Sequence, residues 1–204
     1  MKFLRYGTAG NEKPGLMDTD GDIRCLAAHV ADIDVSTLSD EMLATLSQLD
    51  TNDLPLVDKD VRLGACVGKV GKFLCIGLNY SDHAAESGMT VPSEPEVFTK
   101  ATSSIIGPDN DIIQPLNSHK LDWEVELAIV IGKHTSYVSE EDADSHIAGY
   151  CICNDVTERE FQFEKGSQWD KGKGCDTFGP IGPWLVTRDE VEDPLNLNMW
   201  LEVN

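Results

Sequence analysis

Three acidic residues, Glu124, Glu126 and Asp155, have the types and spacing of a site for a hard metal ion. Residues 122–132 alternate apolar and polar side chains, which predicts a strand with both glutamates on one face. Asp155 directly follows a second apolar strand, predicted over residues 149–154. Neighbouring carboxylates repel each other, and Mg²⁺ or Ca²⁺ with oxygen ligands is their usual neutraliser. The pattern therefore predicts a metal site where the two strands meet.

The same strand pattern predicts which residues form the core. If the glutamates point toward a site, the opposite face packs inside, and that face carries Trp123, Val125, Leu127, Ile129 and Ile131. Ordinary structural roles stay open on these residues alone. A Glu-x-Glu pair is common on solvent-exposed strand faces, and Asp155 has the side chain of a helix N-cap.

Two further segments carry chemistry-bearing residues. His83 and Glu86 are three residues apart, so on a short helix between Ser81 and Gly88 they share a face. The pKa of a histidine near neutrality suits a general base, although a solvated surface pair has the same spacing. Lys173 lies in a turn-rich segment, residues 171–180. The ammonium of a lysine in such a segment either binds a ligand or is simply solvated. Lys171 is the alternative if the register is shifted by two.

The elements that must position these residues divide near residue 70. Residues 1–70 have mixed helix and strand signals and predict a small accessory domain, followed by strand-rich residues 71–204. The length of 204 residues is sufficient for one core and such a domain. The pattern of residues 195–203 predicts one more strand. One edge of that strand would have no strand to pair with.

Composition argues against several classes of protein. The net charge of -20 argues against nucleic-acid binding, which needs clustered Lys and Arg. The chain lacks an apolar run as long as the roughly 18 residues of a membrane span, and its N-terminus is not that of a signal peptide, so a cytoplasmic protein is expected. The six cysteines have no C-x-x-C spacing and are expected to be reduced core residues.

Four blocks, in order, resemble the fumarylacetoacetate hydrolase family: residues 77–86, 95–104, 122–132 and 154–180. The resemblance implies an α+β, β-rich fold, a mixed β-roll preceded by a small N-terminal domain. It also implies Mg²⁺ or Mn²⁺ as cofactor, with Ca²⁺ as an alternative, and a homodimer. Family members continue beyond the length of this chain, so a roll truncated at the C-terminus is expected.

The resemblance also implies roles for individual residues. Glu124, Glu126 and Asp155 match the metal carboxylates of the family. Glu86 would orient His83, which would remove a proton from water. Lys173 would lie beside the metal and the substrate, and Gln162 and Thr177 match further polar contacts of the family. Arg159, Tyr80 and Lys100 are additional polar candidates for substrate binding, for which a structural role is the open alternative.

The activity implied is hydrolysis of a carbon–carbon bond in a 2,4-dioxo acid, either an acylpyruvate or a 2,4-diketo-3-deoxy sugar acid. The products would be pyruvate or another 2-oxo acid and a carboxylic acid. Alternatives on the same site are ureidoglycolate lyase, oxaloacetate decarboxylase and dienoate isomerase or hydratase. A second alternative is an inactive, truncated member that only binds metal.

Overall fold

The computed structural model describes residues 1–81, 88 and 90–203. Its strands are β1 (Lys2–Tyr6), β2 (Lys13–Met17), β3 (Ile23–Cys25), β4 (Phe73–Gly77), β5 (Glu96–Lys100), β6 (Ile105–Ile106), β7 (Leu121–Asp122), β8 (Val125–Ile131), β9 (Ile147–Asn154), β10 (Thr157–Glu158) and β11 (Gly179–Thr187). The helices described are α1 (Asp40–Leu46), α2 (Glu140–Ala143), α3 (Arg159–Phe163) and α4 (Asp170–Lys173). Strands therefore dominate, in agreement with the α+β, β-rich class predicted from the sequence.

The main sheet has the strand order β3–β2–β1–β11–β9–β8, and β6 adds to it by pairing in parallel with β11. The pairs along the main order are antiparallel. Strands β4 and β5 form a separate hairpin pair, and β7 pairs with β10. As a result, β8 and β9 lie side by side, and the end of β9 meets the start of β8.

The hydrophobic core joins the N-terminal residues to the rest of the chain. Phe3 of β1 lies opposite Leu185 of β11, and both side chains are fully buried. The same cluster contains Leu26, Ile33 and Cys151. One sheet and one core thus extend across the boundary that the sequence predicts near residue 70.

The two faces of β8 are reversed relative to the sequence prediction. Ile129 and Ile131, expected inside, are about half exposed, whereas Ala128 and Val130 pack against the core. The physical reason lies in β9, because its buried Cys151 is paired with Ala128. Alternation defines two faces but not which of them meets the rest of the protein.

The C-terminal segment also departs from expectation. Residues 195–203 form no strand in the part of the chain that the structure describes. Leu195 is almost fully exposed, and Leu197 is nearly half exposed, so the side chains that suggested a strand bury little apolar surface. The prediction of a strand there is wrong for the described residues.

All six cysteines are free thiols, as predicted. Cys66, Cys151 and Cys153 are buried within the core. Burial raises the pKa of the Cys75 thiol to about 12, so it stays protonated at neutral pH. Among the described residues, no helix is long and apolar enough to cross a membrane.

Candidate active site

The carboxylates of Glu124 and Asp155 meet because β9 ends where its antiparallel neighbour β8 begins. The backbone N–H of Asp155 donates to the carbonyl of Glu124 over 2.9 Å. The N–H of Glu124 donates to Oδ1 of Asn154 over 3.2 Å, so a side chain closes the last rung of the β8–β9 ladder. Two residues 31 positions apart in the sequence are thereby adjacent.

Lys173 bridges these two carboxylates. Its Nζ donates to Oε2 of Glu124 over 2.6 Å and to Oδ2 of Asp155 over 2.8 Å, and the side chain is buried. The alternative residue, Lys171, is exposed and donates instead to the carbonyl of Lys165. Of the two lysines, the structure therefore brings Lys173 to the carboxylates.

Helix α4, which carries Lys173, lies close against the start of α3. A Cβ on Gly172 would come within 2.4 Å of the Glu158 carbonyl and 2.7 Å of the Gln162 backbone nitrogen. Only a glycine allows this approach, because real Cβ atoms do not come so close to backbone atoms. The two helices therefore present Lys173 and Arg159 to the same carboxylate, that of Glu124.

Arg159 occupies the other side of Glu124. Its guanidinium lies 2.7 Å from Oε1 of Glu124 and 2.8 Å from Oδ2 of Asp122, and it also donates to Oε1 of Gln162 over 3.1 Å. Burial lowers the pKa of Arg159, but Glu124 and Asp122 outweigh that effect and raise it above its ordinary value. Arg159 is therefore a fixed positive charge at the site.

Glu126 is the carboxylate without a lysine or arginine partner among the contacts described. Burial raises its pKa to about 7, and the neighbouring charges of Glu124 and Asp155 add to the rise. A hydrogen bond from Tyr80 and the charge of Lys173 oppose it. Tyr80 also accepts a hydrogen bond from the Leu127 N–H over 3.2 Å. Glu126 thus exchanges a proton near neutral pH.

The other predicted residues have varied positions. Gln162 is buried, and its amide oxygen is held by Arg159. The hydroxyl of Thr177 accepts from the N–H of Ile113 over 2.8 Å. Lys100 is completely buried and donates to protein acceptors. His83 and Glu86 lie outside the described residues.

Two residues of the site were not predicted from the sequence. Asp122 holds Arg159, and it stands two residues before Glu124 on the same alternating run, which was a usable signal. Glu158 is buried and accepts from the N–H groups of His119, Lys120 and Phe161. Nothing in its sequence context distinguishes it from the surface glutamates nearby.

The donor set fits a hard divalent cation in its chemistry. Glu124, Glu126 and Asp155 supply only oxygen atoms, which Mg²⁺, Mn²⁺ and Ca²⁺ prefer. As placed, no three His, Cys, Asp or Glu side chains of the described residues are gathered closely enough to hold an ion. The ammonium of Lys173 lies between two of the three carboxylates. The three carboxylates and Lys173 line a cleft of about 1170 Å³, which Phe98 also lines.

Comparisons with known proteins agree on one family. The profile described as fumarylacetoacetate (FAA) hydrolase C-terminal matches residues 72–204. A protein of Burkholderia multivorans named "Putative hydrolase" is 62% identical over 204 residues, which are 100% of this chain and 72% of that protein.

Solved structures give the same result. A fumarylacetoacetate hydrolase from Exiguobacterium antarcticum is 34% identical, with a TM-score of 0.77, over 93% of this chain and 67% of that one. A 5-carboxymethyl-2-hydroxymuconate delta-isomerase from Mycobacterium smegmatis is 31% identical, with a TM-score of 0.67, over 92% of this chain and 66% of that one.

A strand-rich α+β fold with carboxylates, a lysine and an arginine in one cleft defines an enzyme that acts on small molecules. The chain belongs to the fumarylacetoacetate hydrolase family. The family predicted from the sequence and its fold class are confirmed. Members of this family generally use a divalent metal.

Proposed function

We propose that this chain is a metal-dependent hydrolase that cleaves the carbon–carbon bond of a 2,4-dioxo acid. The observation that carries the proposal is the arrangement around Glu124, whose two oxygens are held by Lys173 and Arg159. Two cations and a cluster of carboxylates in one cleft suit an anionic, oxygen-rich substrate. Glu124, Glu126 and Asp155 would hold the cation, for which we propose Mg²⁺.

The chain's own residues have distinct tasks in this proposal. Arg159 binds the substrate carboxylate, and Gln162 keeps the guanidinium in place. Lys173 lies where its ammonium stabilises negative charge that develops on a substrate oxygen. The bound cation would polarise substrate oxygens as a Lewis acid. His83, oriented by Glu86, would take a proton from water, a role that stays a prediction.

The reaction balances with water alone. Hydroxide, formed as water loses its proton, adds to the 4-oxo carbon, and the bond between C3 and C4 breaks. C3 keeps the electron pair and then takes a proton, so pyruvate leaves with a methyl group when the substrate is an acylpyruvate. The C4 fragment leaves as a carboxylic acid. A polyhydroxylated fragment at C4 would make the substrate a deoxy-sugar acid.

The test measures pyruvate release from a panel of 2,4-dioxo acids with oxaloacetate included, and glyoxylate release from ureidoglycolate. We expect release that requires Mg²⁺ and is abolished by EDTA. Glu124→Gln, which keeps the shape of the side chain, should lower kcat at least about 100-fold, since it removes a ligand and the partner of two cations. Glu192→Gln, an exposed residue, is the matched control. Unchanged release by folded Glu124→Gln would contradict the proposal.

An isomerase is the second candidate. It is supported by the Mycobacterium smegmatis structure, which is named an isomerase and is 31% identical to this chain. An isomerase would shift a double bond and a proton within one molecule, without consuming water. Ultraviolet absorbance of a hydroxydienoate separates the candidates, because isomerisation changes the spectrum without releasing a second acid.

A further inference from the structure

Lys100 is a buried cation with every hydrogen-bond donor in use. Its side chain has 0% exposure, and its ammonium donates to Oδ1 of Asp155 over 2.6 Å. It also donates to the carbonyl of Val156 over 3.0 Å and to the carbonyl of Lys173. An ammonium has three donors, and here three protein acceptors take them. This ammonium therefore has no free N–H to offer a substrate in the cleft.

The bond to Asp155 determines what that carboxylate can do. Oδ1 of Asp155 faces Lys100, and Oδ2 faces Lys173 at 2.8 Å. A carboxylate held at one oxygen by a buried partner cannot rotate without leaving that cation unpaired, which is costly in a low-dielectric interior. Oδ2 then faces Lys173, the ammonium that also bonds Glu124. Asp155 is thereby held as a ligand that offers one oxygen.

The bond to the Lys173 carbonyl acts on a different group. Lys173 is the last residue of α4, and its carbonyl is bound by Lys100 at the end of β5. A second contact fixes the same two elements, since Asp170 at the start of α4 accepts from the N–H and hydroxyl of Thr99. Strand β5 therefore clamps α4 at both ends. The position of the Lys173 side chain follows from this clamp.

We propose that Lys100 is a positioning residue, which holds Asp155 and Lys173 in the arrangement that a divalent cation and a substrate require. The inference rests on the proposed function for the identity of the metal carboxylates. Of the two roles that the sequence leaves open for Lys100, substrate contact and a structural role, it favours the second. Partners that orient metal ligands in this way typically contribute 10–100-fold in metal affinity.

The experiment compares Lys100→Met with Lys120→Met. Both changes replace a lysine by an unbranched apolar side chain, but Lys120 is half exposed and pairs at the surface with Glu164 among the described residues. Mn²⁺ affinity is measured by the electron paramagnetic resonance signal of free Mn²⁺, and folding by circular dichroism. We expect Lys100→Met to bind Mn²⁺ about 10–100-fold more weakly and Lys120→Met to bind it as the wild type does.

Steady-state kinetics distinguish positioning from substrate contact. At Mn²⁺ concentrations that saturate the variant, we expect Lys100→Met to lower kcat, because Lys173 is displaced, with KM changed by less than about threefold. A folded Lys100→Met with wild-type Mn²⁺ affinity and a raised KM would overturn the proposal in favour of substrate contact.

A second variant tests the proposal in case Lys100→Met does not fold. If Lys100→Met does not fold, Lys100→Arg keeps the charge but presents a planar fork that cannot reach the same three acceptors. Mn²⁺ affinity about fivefold or more below wild type supports the proposal, and wild-type affinity overturns it. These binding measurements do not depend on turnover. Failure to cleave any 2,4-dioxo acid would therefore refute the proposed function. The Mn²⁺ affinities alone would still decide whether Lys100 is a positioning residue.

Discussion

Glu126 lies on the face of β8 that meets the core, and its environment follows from that placement. Its neighbours on the same face, Ala128 and Val130, pack against the core, and Cys153 on the adjacent strand is buried opposite it. Burial is the largest cause of its raised pKa, ahead of Glu124 and Asp155. A carboxylate in this position costs stability when it is ionised.

This cost predicts a pH-dependent effect of Glu126→Gln on the metal-free protein. The native pKa of about 7 exceeds the ordinary value of 4.5. The native state therefore keeps a proton that the unfolded chain loses between these two values, and stability falls as pH rises through that window. Above a pH of about 7, the full cost of burying the ionised carboxylate is present. We expect Glu126→Gln to raise the melting temperature at pH 8 by about 2–4 °C and to raise it less at pH 5.

Thermal unfolding in EDTA checks this prediction, with the exposed Glu192→Gln as control. Equal shifts at the two pH values would show that the ionisation of Glu126 is not the cause.

The ionisation of Glu126 also couples metal binding to proton release. Because a ligand must be ionised to bind, Mg²⁺ binding at pH 6 should release a proton from Glu126, measurable as a buffer-dependent heat.

At the scale of elements, α3 depends on its cap. The helix has five residues, too few to be stable alone. Glu158, its N-cap, accepts from Phe161 in the first turn and from His119 and Lys120 in the preceding loop. Burial raises the pKa of Glu158, but these hydrogen bonds outweigh it and lower the pKa below its ordinary value. One carboxylate thereby positions the helix that carries Arg159 and Gln162.

Glu158→Gln should therefore lower the stability of the protein. The amide keeps one acceptor oxygen but turns an NH₂ group toward backbone N–H donors, which leaves buried groups unsatisfied. We expect a loss of about 1–3 kcal/mol in the free energy of unfolding. Urea unfolding followed by circular dichroism measures it, with Glu141→Gln at an exposed position as control. A change equal to that of the control would show that the cap contributes nothing.

At the scale of the whole molecule, the shared sheet makes the two halves of the chain dependent on each other. Strand β1 pairs with β11, and Phe3 and Leu185 are fully buried in one core. The two predicted domains, residues 1–70 and 71–204, thus contribute strands to the same sheet. A core of this kind is expected to unfold in a single transition.

Phe3→Ala tests that cooperativity. All four tryptophans lie beyond residue 70, so their fluorescence reports on the second part and, through Trp184, on its contact with Leu4, Tyr6 and Ile23. We expect the substitution to cost about 3–5 kcal/mol and to shift the fluorescence and far-UV circular dichroism transitions together. Leu116→Ala, at an exposed position, should shift neither. A fluorescence transition left in place while the dichroism changes would indicate two independent units.

The homodimer stays a prediction at this scale. Leu74, Ile76 and Val97 on the β4–β5 hairpin are exposed apolar side chains. Sedimentation equilibrium would measure the mass of the assembly directly.

The sequence alone determined the local parts of the site. Alternation in residues 122–132 placed Glu124 and Glu126 on a strand, and the polar residue after the next apolar run indicated Asp155. The structure places Glu126 within β8 and Asp155 directly after β9 as predicted, whereas Glu124 lies one residue before β8. Strand periodicity and strand ends can be predicted in this way because they are properties of short segments. The blocks that resemble the family are likewise local patterns.

Only the tertiary structure decided the rest. Which face of β8 is buried depends on Cys151 and Cys153 of the neighbouring strand, which lie more than 20 positions away. The burial of Lys100 likewise depends on Asp155 and on the end of α4, neither of which is near it in sequence. Burial and ion pairing arise from contacts between distant segments, so a pattern read along the chain names the reactive residues but not their environments.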